Sequence, residues 1–137
     1  ELAYRLINMY SAKDDTVLDP FLGTGTTTLA AIASQRNSIG IEIDKNMKEV
    51  IDSNIKGSLD FLNSYIENRF NRHIQFINEK HDLKHVNSFY NFPVTTSQEK
   101  NIILPWVLGI REVSRDLYEA EHEHYYPHNL FTISNKK

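Results

Sequence analysis

The 137-residue sequence contains no cysteine. Disulfides, zinc–thiolate sites, iron–sulfur clusters and cysteine nucleophiles are excluded together. The absence fits a reducing compartment, so a cytoplasmic location is expected. An excess of one charge sign is also lacking: 15 Lys+Arg against 18 Asp+Glu leave a net −3. Without a strong basic field, the chain by itself is not expected to hold a nucleic acid electrostatically. No apolar run approaches the ~20 residues that a membrane span needs. Proline is scarce, and none of Pro20, Pro93, Pro105 and Pro127 adjoins another. Apolar residues at 40% and charged residues at 24% are ordinary globular composition, which argues against wholesale disorder. The length suits one modest domain or part of one. The chain opens on Glu1 rather than methionine, which raises the expectation of a fragment or a processed product.

Two unequal parts are readable. Residues 1–64 carry 6 Lys+Arg and 9 Asp+Glu, a net −3, whereas residues 65–137 carry 9 of each. All six histidines fall in the second part. The pattern predicts a helix over residues 1–10, with Leu2, Leu6 and Met9 on one face. Thr16-Val-Leu-Asp19 reads as a strand, and Pro20 with Gly23-Thr24-Gly25 forces a turn. The Ala- and Leu-rich stretch 26–35 reads as a helix whose start Thr26 or a neighbouring hydroxyl can cap. Residues 38–43 form a second strand, placed for a parallel crossover, and Asp44 is set to cap the helix after it. The apolar recurrence from Met47 to Phe70 predicts one long helix bent near Gly57, extended by Ile74 and Ile77. Residues 81–100 read as loop. Residues 102–113 and 117–125 read as a hairpin turning at Ser114-Arg115-Asp116, with Pro105 suited only to an edge.

The informative stretch is Asp19-Pro20-Phe21-Leu22-Gly23-Thr24-Gly25-Thr26-Thr27. Glycines between a strand end and a helix start let a ligand approach the backbone at the carboxyl edge of a parallel sheet. A nucleoside triphosphate would want a lysine after Gly25, and Thr26 stands there. A dinucleotide would want a third glycine at Thr28, and its pyrophosphate would be repelled by Asp19. A cationic amine suits Asp19 better. Glu42, 23 residues on, is placed like the strand-end acid that accepts ribose hydroxyls in Rossmann-like sheets. An amine at one end and a ribose at the other describe S-adenosylmethionine (AdoMet).

Asp19 to Thr27, followed by Ile39-Gly40-Ile41-Glu42-Ile43-Asp44, resembles the AdoMet-binding region of DNA amino-methyltransferases. These enzymes methylate N4 of cytosine or N6 of adenine. Glu1-Leu-Ala-Tyr-Arg-Leu-Ile7 resembles the helix that packs over the cofactor's methionine part. In the β-type order that helix precedes the glycine turn. The resemblance covers residues 1–50. It implies an α/β fold: part of a Rossmann-like methyltransferase sheet, with a C-terminal helical and β-hairpin extension. Residues 1–64 would be the AdoMet-binding half and 65–137 the extension. Asp19 would bind the methionine ammonium and Phe21 would line the cleft. Gly23 and Gly25 would let the cofactor lie on the backbone. Thr26 and Thr27 would cap the helix and touch the methionine carboxylate. Glu42 would grip the ribose and Ile43 would flank the adenine, with Leu22 counted among the cofactor-binding residues.

The family's catalytic motif, Asp, Asn or Ser followed by Pro-Pro and an aromatic, is absent here because no two prolines adjoin. In the β-type order that motif and the target-recognition region come before the glycine turn. A missing N-terminal half or a complementing subunit is therefore expected, as is DNA as a partner of the complete enzyme. A homo-oligomer is a further expectation, and a restriction-modification system is the expected setting. A methyltransferase of RNA or another substrate, and a non-catalytic module that kept the fold, are the competing readings. Glu121-His122-Glu123-His124 lacks a clear third metal ligand and reads as a solvated edge. Trp106, Tyr125 and Tyr126 read equally as base-stacking residues or as residues of the core or a partner interface.

Overall fold

The computed structural model describes residues 1–80 and 83–127. Its first unit is α1 (Leu2–Tyr10), β1 (Thr16–Asp19), α2 (Thr26–Ala33) and β2 (Asn37–Gly40). The strands pair in parallel, Thr16 opposite Asn37 through Asp19 opposite Gly40. The intervening helix makes that pairing possible, since parallel neighbours need a long crossover. The second strand is shorter than the stretch 38–43 suggests. It ends at Gly40, so Glu42 stands two residues beyond it.

Val17 and Ser38 are half-buried on the face that carries α2, and Ser38 Oγ donates to Thr28 Oγ1. Leu18 and Ile39, register partners, lie on the other face and are 62% and 56% exposed. A parallel sheet is ordinarily covered on both faces; among the described residues this one is covered on one. The first helix repeats the theme. It buries Tyr4 and Ile7 and leaves the Leu2, Leu6, Met9 stripe exposed. Arg36 joins the ends of α1 and α2, donating to the Ser11 and Ser34 carbonyls and to Ser11 Oγ.

The expected long helix is two helices, α3 (Met47–Lys56) and α4 (Leu59–Glu79). Gly57 and the buried Ser58 separate them, and Ser58 Oγ donates to the Ile55 carbonyl. The break re-aims the apolar stripe, so that Leu62, Ile66, Phe70 and Ile77 enter the core. Phe70 meets Tyr90, Phe92 and Tyr125 edge-on, with centroids 5.4–5.7 Å apart.

The stretch read as loop contains the ladder β3 (His85–Val86) with β4 (Pro93–Val94), then a 3-10 turn at Ser97–Asn101. Buried Asn87 organises it. Its carbonyl accepts the N–H groups of Phe89 and Tyr90, and its amide donates to the carbonyls of Glu99 and Ile102. The hairpin is present as β5 (Pro105–Ser114) and β6 (Leu117–His124), with Asp116 in the left-handed region at φ 61. Pro105 is the first residue of its strand, where the missing N–H costs least. Buried Asn63 fastens the hairpin to α4, donating to the Val107 carbonyl at 2.9 Å and accepting its N–H at 3.0 Å. Among the described residues no helix is long and apolar enough to cross a membrane.

Candidate functional site

The turn after β1 is shaped by its glycines. Gly23 sits at φ 57 and Gly25 at φ 88, both in the region that side chains disfavour. Buried Gly25 also brings the turn to within 3.6 Å of Ile51, measured from where a Cβ would stand. A backbone bond from Leu22 N–H to the Ile41 carbonyl, at 2.9 Å, closes the turn against the exit of β2.

Both acids singled out in the sequence hold this turn. One oxygen of Asp19 accepts the N–H of Phe21 at 3.0 Å. The Glu42 carboxylate accepts the N–H of Gly23 at 2.8 Å with one oxygen and that of Asp44 at 2.8 Å with the other. The two carboxylates therefore converge on N–H groups two residues apart. Their capacity is not exhausted. A carboxylate offers about four acceptor positions, so each Glu42 oxygen keeps one, and the second Asp19 oxygen accepts nothing among the described residues.

The helix start behind the turn is open. Gly25 is its N-cap, and no hydroxyl caps it. The expected capping by Thr26 is thus corrected: Thr26 Oγ1 lies 3.4 Å from Thr24 Oγ1 instead. The reason is the left-handed Gly25, which occupies the cap position without a side chain to bond inward. The N–H groups of Thr26, Thr27 and Thr28 find no acceptor among the described residues. Asp44 accepts the Asn46 N–H and side-chain amide and so shapes the entry to α3, although the cap residue of that helix is Asn46.

Phe21 and Ile43 project outward at 88% and 95% exposure, flanking the turn and the β2 exit. Leu22 turns inward and packs on Gly40, where an added Cβ would lie 2.5 Å from a Leu22 methyl. One supporting residue, Asn54, escaped the sequence reading, and Ile51 of the expected apolar stripe supports the turn as well. Asn54 donates to the Thr24 carbonyl at 2.9 Å and Ile51 backs Gly25. Helical periodicity marked only the apolar face of α3, and a polar residue on another face carries no such signal.

The hairpin approaches the same region from the other side. Lys48, in the first turn of α3, bonds Asp52 at 2.8 Å and Asp116 at 2.6 Å, and Tyr118 donates to Asp52 at 2.6 Å. Burial first, then the Asp52 bond, pushes the Tyr118 hydroxyl up to about 12. The two aspartate contacts raise the Lys48 ammonium above its ordinary value, and the Lys48 contact first, then Tyr118, holds Asp52 below its own. His122 Nε2 meets the Ile32 carbonyl at 2.8 Å, which packs β6 against α2. Tyr125 is buried, Trp106 stacks on it at 5.0 Å, and Tyr126 is exposed. His128, which follows the His122 and His124 pair in the sequence, lies outside the described residues.

A family described as DNA methylase matches residues 1–53. A Type II methyltransferase of Methanothermobacter thermautotrophicus, M.MthZI, is 46% identical over 127 residues, covering 93% of this chain and 36% of that protein. M.MjaI, a Type II methyltransferase of Methanocaldococcus jannaschii, is 62% identical over 55 residues, covering 40% of this chain and 18% of its own. M.BglI, a Type II methyltransferase of Bacillus subtilis, is 44% identical over 55 residues, covering 40% and 16%. The chain thus spans little more than a third of the length of M.MthZI and less of the others. No solved structure matches. The glycine turn and both acids fall inside the matched stretch, and the chain carries a partial DNA amino-methyltransferase sequence whose residues 1–53 are a segment of the DNA methylase family.

Proposed function

We propose that the crevice around the glycine turn binds S-adenosylmethionine. In this reading the complete protein is a site-specific DNA methyltransferase acting on an exocyclic amino group, N4 of cytosine or N6 of adenine, within a restriction-modification system. The observation that carries the reading is the convergence of Asp19 and Glu42 on one turn, with acceptor positions to spare on each. The residues suit the cofactor's chemistry. The spare Asp19 oxygen would take the ammonium. The spare Glu42 positions would take two ribose hydroxyls. Phe21 and Ile43 are the exposed apolar surfaces available to the adenine and the cleft wall. The open N–H groups of Thr26 and Thr27 would meet the methionine carboxylate, as helix starts favour anions. Leu22, Gly23 and Gly25 would shape the floor.

The cofactor, once bound, supplies an electrophilic methyl group. What this chain contributes is position: a held ammonium, ribose and carboxylate fix the sulfonium relative to an incoming amine. The group that accepts hydrogen bonds from the target amine belongs to a Pro-Pro-aromatic motif outside this sequence. The family implies a Rossmann-like sheet of which β1 and β2 are part. The uncovered Leu18–Ile39 face and the exposed Leu2, Leu6, Met9 stripe support a body completed by further polypeptide. Residues 1–64 would be the cofactor half, and the extension would brace it through Asn63, His122 and Tyr118.

Titration calorimetry of the chain with AdoMet tests the reading. Binding that Asp19→Ala weakens strongly is the expected result. Absence of binding by the complete protein would leave the non-catalytic module as the account of the fold. Binding together with methylation of RNA but not DNA would favour the other substrate class.

A further inference from the structure

We infer that one flank of α4 lies along the sugar–phosphate backbone of DNA. The inference rests on the function proposed for the complete protein, and its surface is separate from the glycine turn. The chain has no basic excess overall, but α4 segregates its charges. Counting from Arg69, the residues Arg72, His73 and Phe76 follow at three, four and seven positions, so they share one flank. Lys80, the C-cap residue, extends the row, with its ammonium 5.8 Å from the centre of the Phe76 ring. The His73 and Phe76 ring centroids are 6.2 Å apart. Asp60 and Glu67, seven positions apart, share a different side, because Glu67 precedes Arg69 by two and residues two apart do not face each other. Two acids border the row: Glu79, and Glu1 of α1, which lies 3.7 Å from Arg72. Arg5, one turn beyond Glu1 on α1, is exposed and adds a further cation.

Spacing selects the occupant. Arg69 to Lys80 covers about 16 Å along the helix axis. Several phosphates of one strand fit that length, at ~3.4 Å of duplex axis each. A single small anion would want donors converging on one point; a line of separated cations matches a line of separated charges. Arg69 anchors the row. It is half-buried, donates to the Tyr4 hydroxyl and lies 5.4 Å from the centre of the Tyr4 ring. Its guanidinium keeps further N–H groups, whose planar fork suits phosphate oxygens. The Arg72–Glu1 pair is long and its side chains are 71% and 59% exposed, so it holds Arg72 weakly and yields to a phosphate. Phe76, 37% exposed between the cations, offers an apolar contact to deoxyribose. The hairpin cannot serve instead, since Arg111 and Arg115 there are outnumbered by Glu112, Asp116, Glu119, Glu121 and Glu123.

Fluorescence anisotropy of the complete protein with a short labelled duplex, repeated over a range of salt concentrations, tests the inference. Arg72 and Lys80 are exposed, so their replacement leaves the core intact. Arg72→Gln and Lys80→Gln are each expected to weaken binding about threefold to tenfold and to lower the slope of log K against log salt by about 0.9. The loss should be the same on duplexes of different sequence, because phosphate contacts carry no sequence information. Arg72→Lys should restore the slope, and Glu67→Gln, on the other side of the helix, should leave it unaltered. Unchanged slopes in both glutamine variants, or no duplex binding by the complete protein, overturn the inference. A loss confined to RNA, with duplex DNA unaffected, also overturns it and gives the row to the other nucleic acid. Calorimetry with AdoMet on the same proteins separates this inference from the proposed function. AdoMet binding with unchanged slopes defeats the α4 row alone, and lowered slopes without AdoMet binding defeat the crevice alone.

Discussion

The Glu42 carboxylate accepts the Gly23 N–H at 2.8 Å, tying the exit of β2 to the glycine turn across 19 residues. One side chain thereby fixes the turn against the β2 exit and, in the proposed function, contacts the ligand. Glu42→Ala removes both. Loss of a charged hydrogen bond costs about 1.5–3 kcal/mol, so the AdoMet dissociation constant should rise on the order of tenfold to a hundredfold. Glu42→Gln, which keeps one acceptor oxygen, should fall between. Calorimetry on the three proteins checks the order; equal affinity in all of them would remove Glu42 from the site.

Gly40 and Leu22 are matched in shape. A Cβ at position 40 would meet Leu22 side-chain atoms at 2.5–2.9 Å. Gly40→Ala should therefore destabilise the chain by about 1–3 kcal/mol through overpacking. Leu22→Ala in the same background should recover part of that loss. Urea midpoints of the two single variants and the double variant would reveal the coupling, and strict additivity would contradict it.

Gly25 makes a separate demand, since its φ of 88 lies where a side chain is strained. Gly25→Ala should cost about 1–2 kcal/mol. Thermal unfolding measures it, and an unchanged midpoint would show that the turn relaxes without penalty.

Asn63 holds the Val107 peptide at both its N–H and its carbonyl, in a buried setting. Asn63→Ala leaves two buried groups unpaired at about 1–3 kcal/mol each. The expected loss is about 2–6 kcal/mol in chemical denaturation. Asn63→Asp should also destabilise, because a carboxylate cannot donate to the Val107 carbonyl.

Alkaline pH should weaken the contact between the hairpin and α3. The folded Tyr118 hydroxyl titrates at about 12 against an ordinary 10. Its raised value means that the contribution is fully present below pH 10 and is lost as pH climbs through about 12. Lys48 is also raised, so its contribution is retained below its ordinary range and lost above it. Asp52 is lowered, and its share disappears only as pH falls through its folded value. Tyr118→Phe should flatten the stability profile between pH 10 and 12 and leave the acid limb in place. An unaltered alkaline slope would show that Tyr118 does not govern it.

Local chemistry was legible in the residues, and long-range pairing was not. Gly23 and Gly25 marked a tight turn between strand and helix, and the alternation of β1, α2 and β2 followed from apolar spacing. The hairpin followed from two β-rich runs around Arg115-Asp116. The break at Gly57-Ser58 was less readable, since one stripe of apolar residues fits a bent helix and two helices equally well. The Asn87 and Asn63 linchpins were invisible, because polar residues at helical and loop positions ordinarily face water.

The sequence by itself determined the turn, its two acids and the family to which residues 1–53 correspond, since each depends on residue types at short spacing. Only the tertiary structure decided that Asp19 and Glu42 meet on N–H groups of one loop and that, among the described residues, the Leu2, Leu6, Met9 stripe stays outside the core. Those are questions of which surfaces find each other after the chain collapses, and burial is settled by the competition among all apolar faces at once rather than by any one stretch.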